Sequence, residues 1–381
     1  MELTRRDFLQ TGVGTISVLG FSLWEVPGLE GVCEAAEARP VAEIPLVWMA
    51  TGVCSGCSIS LLNSASPSIQ ELLLGQVLPG KHVSVRFHTT IMASAGELAM
   101  KSLQKVVHEN QGRYLLVVDG ATAARHDGLY CAVGEANGKP ITGYSHVRDL
   151  GRKAQATLAV GACAAYGGIP AAKPNPTGCL SVSRLFQREG VRTPVVNIPG
   201  CPPHPDWIVG TIAMFLVGGL KALKLDEHAR PAPFFSSLIH DNCPFRGHFD
   251  RGEFAEHFGQ HGCLIKLGCK GPITHADCPH RLWNNGTNWC IGAGHPCIGC
   301  CEPQFPFEGS LFHRVEPAEL APPAVLPPAS GQAQARPIGT GTAAVAGGVV
   351  GAAIVGAAVG AAKLAKKQNP SGAHDAPNEQ G

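Results

Sequence analysis

The stretch Ile44-Pro-Leu-Val-Trp-Met-Ala50-Thr51-Gly-Val-Cys54-Ser-Gly-Cys57 sets an apolar run against a glycine-bearing loop with two thiols. A short apolar run rich in Val, Ile and Trp and closed by Gly reads as a buried strand. The cysteines then fall just past its carboxyl end. The pattern returns along the chain, and further strands are predicted at 83–88, 114–119, 157–160 and 194–198. Helical stretches lie between them: 95–109, where Leu98, Leu103 and Val106 fit one face, and 182–189; an apolar helix at 209–220 follows. Such alternation argues an α/β class, a doubly wound and mostly parallel sheet whose ligands bind beyond the carboxyl ends of the strands. Cys163 follows the fourth run and Cys201 the fifth. Three strand-end loops thus bring four thiols to one region, as a shared metal cluster needs.

Composition narrows the function. Lys+Arg (30) and Asp+Glu (29) nearly cancel, so the basic excess of a nucleic-acid binder is missing. Charged residues are 15%, well below the usual quarter or so. Apolar residues reach 45%, too many for a wholly disordered chain. Fifteen cysteines, several beside Gly and Pro at short spacings, imply either a disulfide framework or metal sites.

From Phe234 to Phe312 the periodicity fades and cysteines crowd. This segment has few residues for an apolar core of its own, and bound metal would supply stability by linking ligation to folding. Three ligand sets emerge. The first is Cys54, Cys57, Cys163 and Cys201, each beside glycines that let backbone N–H groups approach cluster sulfurs. The second is His240-Asp-Asn-Cys243-Pro with Cys263 and Cys269, a mixed site whose imidazole carries less negative charge than a fourth thiolate. The third is Cys278, Cys297 and Cys300, with Cys290 and Cys301 competing for a fourth place. Adjacent thiols do not easily turn toward one small cluster, which favours Cys290. Cys131 and Cys179 match no set and read as ordinary thiols. Disulfides suit an exported chain, but the C-x-x-C spacings and a core-bearing body weigh against them. Zinc explains single C-x-x-C pairs, yet needs its four ligands close together.

The ends read as targeting and anchoring. Thr4-Arg5-Arg6-Asp7-Phe8-Leu9-Gln10 before an apolar run resembles a bacterial twin-arginine export signal, with Ala36-Glu37-Ala38 as the cleavage site. That route carries folded proteins, and so suits a cofactor assembled in the cytosol. Residues 317–337 hold six prolines and read as a linker. Residues 338–362 then run 25 positions without a charge, enough to cross a bilayer, and Lys363, Lys366 and Lys367 place the following tail in the cytoplasm. The expected organisation is a signal peptide at 1–38, a sheet domain at 39–225, a cluster domain at 226–316, a linker at 317–337, an anchor at 338–364 and a tail at 365–381.

The phrases around Cys54, Cys163 and Cys201, the run His240-Asp-Asn-Cys243-Pro, Gly268-Cys-Lys-Gly-Pro272 and Gly294-His-Pro-Cys-Ile-Gly-Cys300 together resemble the small subunit of nickel–iron hydrogenases. The ends resemble its membrane-bound uptake branch. The resemblance implies a flavodoxin-like domain holding a proximal 4Fe–4S cluster on Cys54, Cys57, Cys163 and Cys201. It implies a distal 4Fe–4S cluster on His240, Cys243, Cys263 and Cys269, and a medial cluster on Cys278, Cys297 and Cys300. A fourth medial ligand at Cys290 makes that cluster 4Fe–4S; without it a 3Fe–4S cluster is expected. Partners implied are a nickel–iron large subunit and a cytochrome b or other integral membrane acceptor, in a dimer of heterodimers, at the periplasmic face of the cell membrane. The chain would conduct electrons from hydrogen oxidation and break no bond itself. The rival reading is an exported multi-cluster electron carrier without a large subunit.

Three positions depart from relatives. Val53 and Ile59 stand where the family often has acidic residues, and Cys290 stands where many members have proline. Oxygen-tolerant relatives carry extra cysteines at places matching Gly56 and Gly168, so inhibition by oxygen is expected here.

Overall fold

Five parallel strands form the central sheet, in the order β2-β1-β3-β7-β9. In chain order the strands are β1 (Ala42–Ala50), β2 (Lys81–His88), β3 (Leu115–Asp119), β4 (Thr122–Ala123), β5 (Ala132–Ala136), β6 (Lys139–Thr142), β7 (Ala156–Val160), β8 (Cys179–Leu180) and β9 (Val195–Ile198). β4–β8 and β5–β6 make small antiparallel pairs. The helices of this half are α1 (Gly56–Leu62), α2 (Ile69–Leu74), α3 (Gly96–Glu109), α4 (Gly143–Gly151), α5 (Gly161–Tyr166), α6 (Val182–Glu189) and α7 (Pro205–Gly218). This computed structural model describes residues 42–74, 81–136, 138–307 and 311–312. The expected signal, linker, anchor and tail lie outside them. Among the described residues no helix is long and apolar enough to cross a membrane.

The strands read as continuous apolar runs because both faces of a parallel sheet are covered. Every residue of β3 and β7 is buried. Side chains alternate between two cores. Val47, Met49, Leu116 and Val118 pack with α3, α4 and α6 on one face. Leu46, Trp48, Leu115 and Val117 pack with α7 on the other, and that core continues into the cysteine-rich half through Phe234, Leu264, Cys269, Cys297 and Cys301. The strand order starts from the middle of the sheet, so the loops after β1 and β3 open at the switch point where doubly wound sheets hold ligands.

All five expected strands are present. Two helical details differ from the sequence reading. Leu98 is 70% exposed; the buried face of α3 is Ala99, Leu103, Val106 and Val107. The apolar helix starts at Pro205 rather than at 209, because the His204 ring accepts the Asp206 N–H at 3.1 Å and Pro205 fits the first helical turn. Beyond it order is local. Among the described residues from 232 on, no helix exceeds the five residues of Arg246–Asp250.

Candidate functional site

The first thiol set gathers where the sheet predicts. Cys54 precedes α1 and Cys57 lies in its first turn; Cys163 lies in α5, directly after β7; Cys201 follows β9. The Ala162 amide donates to Gly200 O at 2.8 Å and ties the last two loops together. Gly161 has φ +91°, and a Cβ there would stand 2.5 Å from Cys57 Sγ, so only glycine leaves room for that thiol. The thiols feel one another. Burial first, then the charges of Cys201 and Cys54, push Cys163 up to about 12. Burial pushes Cys201 up to about 11, with Cys300 and Cys54 adding to it. Cys57 is raised by burial and then by Asp119, Cys163 and Cys54.

Asp119 was not legible as a site residue. It closes β3, fully buried, and accepts from Ser58 Oγ at 3.0 Å. Burial raises its carboxyl against the lowering effect of the Cys57 and Ser58 hydrogen bonds. An acid ending the apolar run Leu115-Leu-Val-Val-Asp119 was the available signal.

The second set lines one cavity. His240, Cys243, Cys263 and Cys269 share its wall with Phe245, Leu264 and Ile291. His240 Nε2 is buried with no hydrogen-bond partner, and its ring stands edge-on to Phe249 at 4.6 Å. Burial, then Arg246, lower this imidazole to about 4. A neutral ring with one free nitrogen is the form a metal takes. Burial pushes Cys243 up to about 12 and Cys263 up to about 11, while the amide two residues on is aimed at each sulfur. The Gly271 amide serves Cys269 in the same way, and the Gly299 amide lies 3.4 Å from Cys297 Sγ. Thiols raised by burial become thiolates only against a cation, and amides aimed at sulfur are how proteins stabilise cluster sulfurs. These donor sets fit iron–sulfur clusters.

The third set draws in both rival ligands. Cys278 opens the short helix Cys278–Arg281 and is raised by burial, then by Cys300, Cys297, Asp277 and Cys290. Cys290 is an exposed residue whose thiol is raised by partial desolvation and then by the charge of Cys300. Cys301 is 1% exposed; its side chain hydrogen-bonds Cys300, which lowers Cys300. The three sets touch in sequence. The Cys201 amide is aimed at Cys300. The Lys270 amide, next to Cys269, donates to Cys297 O at 2.7 Å. All fourteen described cysteines are free thiols, and among the described residues no three His, Cys, Asp or Glu side chains converge as a single metal ion requires.

Beside Gly56 and Pro202 a wide cleft opens, lined by Ile59, Ser60, His204, Asp206, Arg281 and Trp283 among others. Its floor is ionic: Arg281 reaches Asp206 at 3.0 Å and Asp277 at 2.7 Å, and Asp277 accepts from Trp207 Nε1 at 2.8 Å.

Comparison with known proteins gives the same picture. Residues 235–313 match the family formed by the C-terminal part of the NiFe/NiFeSe hydrogenase small subunit, and residues 54–215 match "NADH ubiquinone oxidoreductase, 20 Kd subunit". The periplasmic [NiFeSe] hydrogenase small subunit of Desulfomicrobium baculatum is 43% identical over 83% of this chain and 100% of its own. The chain belongs to the nickel–iron hydrogenase small-subunit family. The quinone-reactive Ni/Fe-hydrogenase small chain of Wolinella succinogenes is 35% identical over 82% of this chain and 86% of its own. The reduced, active Ni-Fe-Se hydrogenase structure from Desulfomicrobium baculatum superposes with a TM-score of 0.68 at 44% identity, covering 72% of this chain and 100% of that one. As a hydrogenase small subunit the chain carries iron–sulfur clusters, pairs with a nickel–iron large subunit and transfers electrons within a hydrogen-oxidising complex. That pairing sets aside the reading of a carrier working alone.

Proposed function

We propose that this hydrogenase small subunit holds three clusters in series. Cys54, Cys57, Cys163 and Cys201 would hold the proximal 4Fe–4S cluster; His240, Cys243, Cys263 and Cys269 the distal 4Fe–4S cluster. Cys278, Cys297 and Cys300 would hold the medial cluster, with Cys290 as the fourth thiolate of a 4Fe–4S group. When bound, such clusters supply one-electron redox chemistry at potentials set by ligands, hydrogen bonds and exposure. The residues do the rest: thiolates and the neutral His240 ligate, and amides aimed at sulfur stabilise added negative charge. The observation that carries the reading is the contact order. Cys201 adjoins Cys300, and Cys297 adjoins the Cys269–Lys270 peptide, which supports putting the third set between the other two. Cys290 is preferred over Cys301 because Cys301 is adjacent to Cys300 in the chain and already hydrogen-bonds it.

The cleft beside Gly56 and Pro202 is the face proposed for the large subunit, since it borders the proximal set. The organisation proposed is export on the twin-arginine signal at 1–38, a sheet domain at 39–225 and a cluster domain at 226–316. A linker at 317–337, an anchor at 338–364 and a cytoplasmic tail at 365–381 follow. The anchor would place the body at the periplasmic face of the membrane, in a dimer of heterodimers that delivers electrons to a cytochrome b or another integral membrane protein. A relative named quinone-reactive supports a membrane acceptor. Affinity isolation from native membranes, with metal analysis, tests this. The expected product contains a nickel-bearing partner and a membrane protein; a water-soluble chain alone, or one loaded with zinc, contradicts it.

A further inference from the structure

Arg230 and Glu302 are a buried charge pair that none of the three ligand sets uses. Their side chains are 3% and 6% exposed. Arg230 Nη1 donates to Glu302 Oε1 at 3.1 Å and to Cys301 O at 2.9 Å. Its Nε donates to Asp226 Oδ2 at 2.6 Å, its own amide donates to Asp226 Oδ1 at 2.8 Å, and its guanidinium lies 5.5 Å from the Phe235 ring centre. Glu302 Oε1 also accepts the His275 amide at 2.6 Å and faces His275 Nδ1 at 3.2 Å.

These contacts join three arms of the chain. One carries Cys297, Cys300 and Cys301 directly into Glu302. Another runs from His275 into Cys278. The turn at 226–230 belongs to the third, for Asn197 in β9 donates its amide to Ala229 O and its side-chain Nδ2 to His228 O, both at 2.8 Å, and β9 leads on to Cys201. Tyr166, three residues past Cys163, points a buried and unpartnered hydroxyl into the same charged neighbourhood. Burying an ion pair is a weak route to stability, whereas a guanidinium fork fixes the geometry of whatever it bonds. A charge held at low exposure also acts more strongly on a neighbouring redox centre than one in water.

We propose that Arg230 is a positioning residue of the electron relay: with Glu302 it locks the Cys278 and Cys300 arms to the Cys201 arm, and this ion pair sets the reduction potential of the medial site. The proposal rests on the medial assignment above. Arg230 bridges the carboxylates of Asp226 and Glu302, so each substitution has a sign. Glu302→Gln keeps the acceptor for Arg230 and the His275 amide while removing a negative charge; Arg230→Met removes the fork and its positive charge.

The test is a potentiometric titration of the whole complex followed by EPR, with iron counted in each preparation. Glu302→Gln is expected to move the medial potential upward, with proximal and distal potentials in place and iron content unchanged. Arg230→Met is expected to move it downward, and Arg230→Lys to fall between Met and wild type. Glu302 is replaced by an isostere, so that arm stands even where Arg230→Met loses the medial cluster. A Glu302→Gln complex with full iron and an unmoved medial potential overturns the proposal, as does an equal shift of all three clusters. A wild-type titration that finds only two clusters overturns the medial assignment beneath it.

Discussion

The two halves of the subunit reach order by different means. In the sheet half, five strands are covered on both faces by side chains that make the core themselves, and the thiols of the first set are additions at strand ends. In the half from about 232 to 307, helices are five residues or shorter and the buried side chains include Cys263, Cys269, Cys297 and Cys301. There four cysteine side chains share a core that Phe234, Phe235, Leu264, Trp289 and Ile291 also build. The difference teaches that one thiol set sits at the ends of a packed sheet, while the other two lie on short irregular segments where, on the proposed assignment, ligation would add to the packing.

Removing iron should expose that difference most strongly. In protein stripped of clusters, amide exchange across 236–307 is expected to quicken by roughly a hundredfold or more, while β1, β3 and β7 keep their protection. Equal protection in both halves would erase the distinction.

Oxygen probes the site that the sheet holds. Gly168 has φ +51°, and a Cβ there would lie 2.9 Å from the Cys163 amide nitrogen and 3.0 Å from its Sγ, so this backbone is shaped for glycine. With glycine also at 56, neither position supplies an extra thiol to the proposed proximal site, and the purified complex is expected to stop oxidising hydrogen in air. Sustained turnover in air contradicts this.

A core substitution tests the sheet half alone. Leu116→Ala, at a fully buried position, should destabilise the protein by about 2–5 kcal/mol by denaturant unfolding, while visible cluster absorbance per folded molecule stays constant. A cost below about 1 kcal/mol would mean that clusters rather than packing hold this half too.

The smallest expected effect lies in the cysteine-rich half. Cys290→Pro should create a 3Fe–4S EPR signal and raise the medial potential, because one thiolate and one iron are lost. Cys301→Ser should leave the cluster type unchanged. A strong 3Fe–4S signal in undamaged wild type contradicts the role of Cys290.

Legibility in the sequence follows the same divide. The strands could be read because apolar runs such as Leu115-Leu-Val-Val and the glycine-flanked thiols are local patterns. Leu98 misled because α3 turns Ala99 and Leu103 inward instead, a choice made by the sheet it packs on. The ligand sets were visible as spaced cysteines, but their order came from the family resemblance and not from spacing, since Cys201 and Cys300 lie about a hundred residues apart in the chain. Asp119 beside Ser58 and Arg230 beside Glu302 depend likewise on partners 61 and 72 positions away in the chain.

The measurement that bears most directly on a three-site relay is stepwise reduction of the intact complex under hydrogen, followed by low-temperature EPR with iron analysis. About twelve irons per small subunit are expected, with three titrating clusters in which the medial one couples magnetically to both others. Fewer than three clusters, or direct coupling of proximal to distal with no medial signal, would contradict the arrangement.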